Sequence, residues 1–103
     1  MAFLNWTESA VRDLIHIAAY IANDSTSYAK LTIDRIRLQA ALAGRNPFYG
    51  RKVPEIRDES IREIICGSYR IIYHIHSQNR VDVITVFHTS RLLNRESINL
   101  KIG

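Results

Sequence analysis

The hydrophobic rhythm of this chain changes once, near residue 50, and that change leaves few folds open to it. In the first half Val11, Leu14, Ile15, Ala18, Ile21 and Ala22 recur three and four positions apart, the spacing of one helix face. Thr7 stands where a helix would be capped, and Glu8 suits its first turn. Asn23-Asp24-Ser25 interrupts the pattern and offers new caps. A second helix is predicted to about Ala43, with Ala29, Ile33, Ile36, Ala40 and Ala43 on one face; Gly44, Pro47 and Gly50 are expected to end it. The short link makes the two an antiparallel hairpin. Ahead of it, Phe3-Leu4-Asn5-Trp6 reads as a short strand.

In the second half the period drops to two. Ile61 to Cys66, Tyr69 to Ser77 and Val81 to Thr89 are rich in β-branched and aromatic residues, as strands are. Turns at Gly67-Ser68 and at Gln78-Asn79-Arg80 join them into an antiparallel meander. The tail from Ser90 is predicted as a short helix with Leu92, Leu93 and Ile98 as its apolar residues. Helices first and strands after give an α+β fold, with the helical hairpin packed on one face of a small antiparallel sheet. The 103 residues suffice for one domain, taken here as 1–103.

The turn also sets a register. Three residues at Gln78, Asn79 and Arg80 pair Ser77 with Val81 and, counting back along both strands, Arg70 with His88. The same count sets His76 against Asp82, His74 against Ile84 and Ile72 against Val86. On this reading Ile71, Tyr73 and Ile75 join Val83, Thr85 and Phe87 on the helix-covered face, with Tyr73 a support under the sheet, and the Arg70 face meets partners.

Charge narrows the partners. The net charge is +4. From Arg51 onward nine basic residues (Arg51, Lys52, Arg57, Arg62, Arg70, Arg80, Arg91, Arg95, Lys101) outnumber six acids (Glu55, Asp58, Glu59, Glu63, Asp82, Glu96). A basic half suits nucleic acid or an acidic peptide. Cys66 is the single cysteine, so no internal disulfide forms, and a small core residue is the plain reading of it. The longest apolar runs fall short of a membrane span and no leader pattern is present, so a cytoplasmic chain without a membrane role is expected.

No glycine-rich phosphate loop, nucleophile elbow or cysteine cluster is present, so neither cofactor nor metal is expected. His74 and His76 share a strand face, yet no further ligand stands at a telling spacing. Glu55, Arg62, Arg70, His88 and Arg91 form the more pointed set. RNA cleavage through the ribose 2′-hydroxyl needs a base, an acid and cations for the growing phosphate charge. His88 would serve as acid or base, Arg70 and Arg62 would hold the phosphate, and Glu55 would complete the set. The plainer reading makes each arginine a solvated charge or a partner contact.

Four segments in order carry a resemblance. They are Gly50-Arg51-Lys52-Val53-Pro54-Glu55-Ile56, Ile61-Arg62-Glu63-Ile64, Gly67-Ser68-Tyr69-Arg70-Ile71-Ile72-Tyr73 and Val86-Phe87-His88-Thr89-Ser90-Arg91-Leu92-Leu93. Together with Trp6-Thr7-Glu8, Leu14 and Tyr20-Ile21-Ala22 they resemble the ParE branch of the ParE/RelE toxin superfamily over about residues 3 to 93. The resemblance implies the toxin of a type II toxin–antitoxin module of plasmid-stabilisation type. It also implies a cognate antitoxin (ParD-, RelB- or Phd-like), whose flexible segment folds over the toxin in a hetero-oligomer. It implies one of two targets: DNA gyrase for ParE-type members, or messenger RNA cut in the ribosome for RelE-type members. Arg70 and His88 match residues that some cutting members use. Thr89 follows His88 where some of those members have tyrosine, and the lysine-rich stretch of others is missing, so gyrase is the expected target. Arg70, His88, Arg91 and Arg62 are then the contacts to target or antitoxin.

Overall fold

The computed structural model describes residues 2–102. Strand β1 (Phe3–Trp6) leads into helix α1 (Glu8–Ala22), followed by α2 (Thr26–Arg45), β2 (Arg51–Lys52), β3 (Ile61–Cys66), β4 (Tyr69–Ser77), β5 (Arg80–His88) and α3 (Arg95–Ile102). The strands form one sheet in the order β1-β5-β4-β3-β2. All neighbours are antiparallel except β1, which runs parallel to β5 with Phe3 beside Arg80 and Trp6 beside Val83. The expected α+β architecture holds. The parallel edge strand and the two-residue β2 are additions to it.

The caps are where the sequence put them. The Thr7 hydroxyl accepts the Ala10 N–H at 3.1 Å, and the Ser25 hydroxyl accepts the Tyr28 N–H at 3.1 Å. Each satisfies a donor that the first helical turn leaves unpaired. α2 runs past Gly44 to Arg45. Gly44 does not end the helix; it lets β1 come close. Its carbonyl accepts the Ala2 N–H at 2.8 Å, and a methyl group there would touch the Leu4 Cβ at 3.4 Å.

α1 buries a stripe one position off the expected one. Ala10 is buried and Leu14 and Ile17 pack on the core, whereas Val11 and Ile15 are 42% and 60% exposed. Asp13 explains the rotation. Its carboxylate accepts the Thr85 hydroxyl at 2.6 Å and the Val86 N–H at 3.0 Å, which turns that side of the helix toward β5. β5 needs this partner, because β1 pairs with it only as far as Val83.

The sheet has a core on each face. The helices cover Ile64, Ile71, Tyr73, Val81, Val83 and Val86. The opposite face buries Ile61, Ile72, Ile84 and Phe87 beneath Val53, Ile56 and Ile98 of α3. α3 begins at Arg95, later than the tail reading placed it, and Leu92 is 84% exposed.

The β4–β5 register departs from the expected one. The turn holds two residues, because Ser77 pairs with Arg80. One irregularity near His76 and another at Ile84 then set His74 beside Asp82, Ile72 beside Thr85, Arg70 beside Phe87 and Tyr69 beside His88. The bulge has a physical use. It lets Val83 and Val86 both face the helices while Ile84 and Phe87 both enter the second core. Strict alternation would instead group Val83 with Phe87 and Ile84 with Val86, and Phe87 accordingly leaves the helix-covered face on which it was expected.

Candidate functional site

Arg70 is the centre of the candidate set, and it is buried: 6% exposed. Being beside Phe87 in the register, it points away from the helices. Its guanidinium lies 5.2 Å from the centroid of the Phe87 ring. Glu55 grips it with both oxygens, at 2.7 and 2.8 Å. Glu63 accepts from it at 2.8 Å through Nε and lies 2.6 Å from Nη2. The other Glu63 oxygen takes Arg51 Nε at 2.6 Å. Glu63 is thus held between two guanidiniums, and Arg70 between two carboxylates. Such forked, charge-assisted bonds are strong and directional.

The same cluster fastens the chain that leads to α3. Arg70 Nη1 donates to the Arg91 carbonyl at 3.2 Å, and the Leu93 N–H donates to Glu55 at 3.0 Å. Arg95 donates to the Ile56 carbonyl. The Arg70 hydrogen bonds are the main reason that the Glu55 carboxyl sits well below its ordinary value, at about 2; burial opposes them and the Leu93 N–H assists. The same partners push Arg70 above the usual guanidinium value, the Glu55 hydrogen bond first.

His88 stands elsewhere. It pairs with Tyr69, and the two rings meet edge to face at 5.9 Å, so its side chain leaves the sheet on the helix side. The expected pairing of Arg70 with His88 on a shared face is therefore incorrect; the two-residue turn and the bulges put them on opposite faces. His88 Nδ1 accepts the Ser90 N–H at 3.1 Å and lies 2.8 Å from its hydroxyl, which leaves Nε2 to the outside. Arg62 is also on the helix side, because it pairs with Tyr73. It is held by the Gly50 carbonyl at 3.1 Å, by Glu59 at 3.0 Å and over the Phe48 ring at 5.0 Å.

The fold thus brings Glu55, Arg70 and the Arg91 backbone together and separates His88 and Arg62 from them. The expected partner-facing role of the Arg70 face also fails as stated, since α3 and the 53–56 segment cover it. Tyr73 does support the sheet. It is fully buried, its hydroxyl donates to the Pro47 carbonyl at 2.6 Å and accepts the Gly50 N–H at 2.8 Å. The sequence reading passed over Glu63 and Asp13. Both are acids at inward positions of an otherwise apolar pattern, and that misfit is the signal that would have found them.

Among the described residues no group of three metal-binding side chains converges, and no helix is long and apolar enough to cross a membrane. His74 and His76 do share a face, with rings 6.1 Å apart.

Comparison with known proteins adds the family. A search of curated proteins gives no match. Among solved structures, the chain is similar to one from the chromosomal ParDE toxin–antitoxin system of P. aeruginosa. The TM-score is 0.70 at 16% identity, over 85% of this chain and 96% of that one. It is also similar to one from the toxin–antitoxin complex RelBE2 of Mycobacterium tuberculosis, with a TM-score of 0.60 at 21% identity, over 84% and 96%. At these identities the likeness speaks for the fold. The sequence itself matches the family model described as the ParE toxin of the type II toxin–antitoxin system parDE, over residues 4–93. With nearly the whole chain matched, this protein belongs to the ParE toxin family of type II toxin–antitoxin systems.

Proposed function

We propose that this toxin arrests growth by binding a protein target, DNA gyrase, and that a cognate antitoxin holds it inactive. One observation carries the choice of a binding mechanism over RNA cleavage: the two cations that would hold a scissile phosphate are already paired and lie on opposite faces. Arg70 is enclosed by Glu55 and Glu63, and Arg62, on the other face, is bound to nearby Glu59. A phosphate would have to displace carboxylates that are already bonded, and His88 could not reach the same phosphate as Arg70. Surface charge and exposed side chains, in contrast, suit recognition of another protein.

The antitoxin has a fitting surface on the helical hairpin. Trp6, Val11, Leu14, Ile15 and Ile33 line a groove of about 400 Å³ with Arg37 at its rim, and Leu38 is 70% exposed. An antitoxin segment with apolar anchors and acids would order there on binding. The two structural relatives come from a toxin–antitoxin system and a toxin–antitoxin complex, which supports such a partner. Hydrogen exchange tests this face: protection gained over residues 8–43 in the complex is expected, and no change there excludes it. The target is tested by inducing the toxin while following DNA supercoiling and messenger-RNA ends together. Altered supercoiling with intact transcripts is expected; new transcript ends without a supercoiling change would assign the RNA-cutting activity instead.

A further inference from the structure

The Arg70 cluster and the hairpin groove leave one built feature unused. A hollow of about 390 Å³ wraps the free edge of β5, between α1 and the start of the tail. Asp13, His16, Tyr20, Tyr69, His88 and Arg91 give it its chemistry. We propose that this hollow is the toxin's socket for its protein target and that it takes an acidic segment carrying one aromatic or aliphatic anchor. The proposal rests on the protein-poison reading above.

Three observations carry it. The first is that the charge of the hollow is available. Among the described residues no carboxylate pairs with Arg91 within 4.0 Å, and its guanidinium rests over the Phe87 ring at 5.7 Å. The one acid of the lining, Asp13, is bonded to Thr85 and Val86 instead of Arg91, so the guanidinium is left to an incoming carboxylate. The second is that Arg91 is positioned. Its carbonyl is held by Arg70, and Arg70 in turn by Glu55 and Glu63. A cation on a fixed backbone loses less freedom on binding than one on a loose tail.

The third observation is composition. Tyr20 is 77% exposed beside Tyr69, His16 and His88, and tyrosine with arginine around a pocket is the make-up of protein-binding hot spots. The volume suits a single large side chain. The hollow continues past Arg91 into a second of about 300 Å³ that ends at Lys101, giving an extended segment a path. A nucleic acid fits less well, since its backbone needs a row of cations. Here Arg91 and Lys101 stand alone, and Lys101 is 2.6 Å from the Ser9 hydroxyl.

The test compares purified wild-type toxin with Tyr20→Ala, Arg91→Glu and a control, Phe3→Ala, at the opposite end of β5. Each is assayed for growth arrest, for retention on immobilised DNA gyrase and for retention on a single-stranded RNA oligonucleotide, with thermal unfolding as the check on folding. Both socket variants are expected to lose about tenfold or more in gyrase retention and to lose growth arrest, with the control at wild-type level. Socket variants that bind gyrase like wild type would overturn the socket and leave the gyrase reading standing. Wild-type toxin that fails to bind gyrase would remove the reading and the socket's partner with it. Loss of RNA retention together with growth arrest in the socket variants would assign the hollow to nucleic acid and overturn a peptide socket. Tyr20 is too exposed for its truncation to endanger the fold, so that variant decides the matter even if the charge reversal perturbs the tail.

Discussion

Glu55 holds Arg70 through both carboxylate oxygens, at 2.7 and 2.8 Å, while one of those oxygens also takes the Leu93 N–H. One side chain therefore joins the sheet, the segment after β2 and the tail that carries α3. What happens to this carboxylate is felt in three places.

Acid should loosen the tail first. The Glu55 carboxyl is lowered to about 2 from an ordinary value of 4.5. A depressed carboxylate adds stability that is complete above the unfolded value and disappears as pH falls through the folded one. The window is thus pH 4.5 down to about 2. Urea unfolding at pH 7, 4 and 3 should show the loss, and Glu55→Gln should flatten much of that slope. An unchanged slope in the variant would mean that other carboxylates govern acid sensitivity.

Arg70→Ala should destabilise the protein by about 3–5 kcal/mol, because it leaves Glu63 buried with only Arg51 beside it. Arg91→Ala, at an exposed side chain with no ion pair among the described residues, should change stability by about 0.5 kcal/mol or less. Calorimetry separates the two. A toxicity loss in Arg70→Ala is then a folding defect, whereas one in Arg91→Ala reports on recognition. Equal melting temperatures for both variants would contradict this division.

The Tyr73 hydroxyl ties down the loop between α2 and β2. Tyr73→Phe leaves the Gly50 N–H without that partner and should cost about 1–3 kcal/mol. Gly50→Ala should cost more. Its new methyl would lie 2.6 Å from the Glu63 carbonyl and 2.8 Å from the Tyr73 hydroxyl, so the loop must move away from the sheet. The pair is checked by denaturant midpoints, and the order is reversed only if the loop can shift without breaking the Tyr73 bonds.

His74 should make the fold less stable in mild acid. Burial lowers its value below the ordinary 6.5, with Asp82 opposing, and its Nδ1 has no hydrogen-bond partner among the described residues. Below pH 6.5 the unfolded chain takes up a proton that the folded one resists, so stability falls as pH drops toward the folded value. His74→Leu should remove that slope between pH 7 and 5 and leave neutral-pH stability equal or higher, since the unpartnered nitrogen disappears. A variant that is less stable at pH 7 would show that the imidazole has a bond worth keeping.

Much of this was legible in the sequence, for identifiable reasons. Thr7 and Ser25 act through bonds within four residues of themselves, so their caps could be read locally. The strands at Ile61–Cys66 and Tyr69–Ser77 announced themselves by β-branched runs between turn residues. Failures came where distant parts of the chain compete. Asp13 rotated α1 to reach β5, which no helical period contains. Ile84 bulged because β5 must serve two cores, and the two-residue turn, with the offsetting irregularities near His76 and at Ile84, moved the pairing of Arg70 from His88 to Phe87. Glu55, Arg62, Arg70, His88 and Arg91 were singled out as one site, and the structure gathers only Glu55, Arg70 and the Arg91 backbone. Their grouping was not readable, because a shift of one residue reverses the face of every side chain.

The parallel pairing of β1 with β5 has a consequence for synthesis. Phe3 finds its place only beside Arg80, and Asn5 donates to Asp82 across 77 positions of sequence. Contacts this distant close late, and during translation the first strand must wait until the last one is made. A nascent chain that stops before Val83 has no partner for Trp6, no carbonyl for the Thr7 amide and no edge for Asp13. Premature termination therefore yields fragments that cannot close the sheet, and the poison comes into being only once β5 has been made.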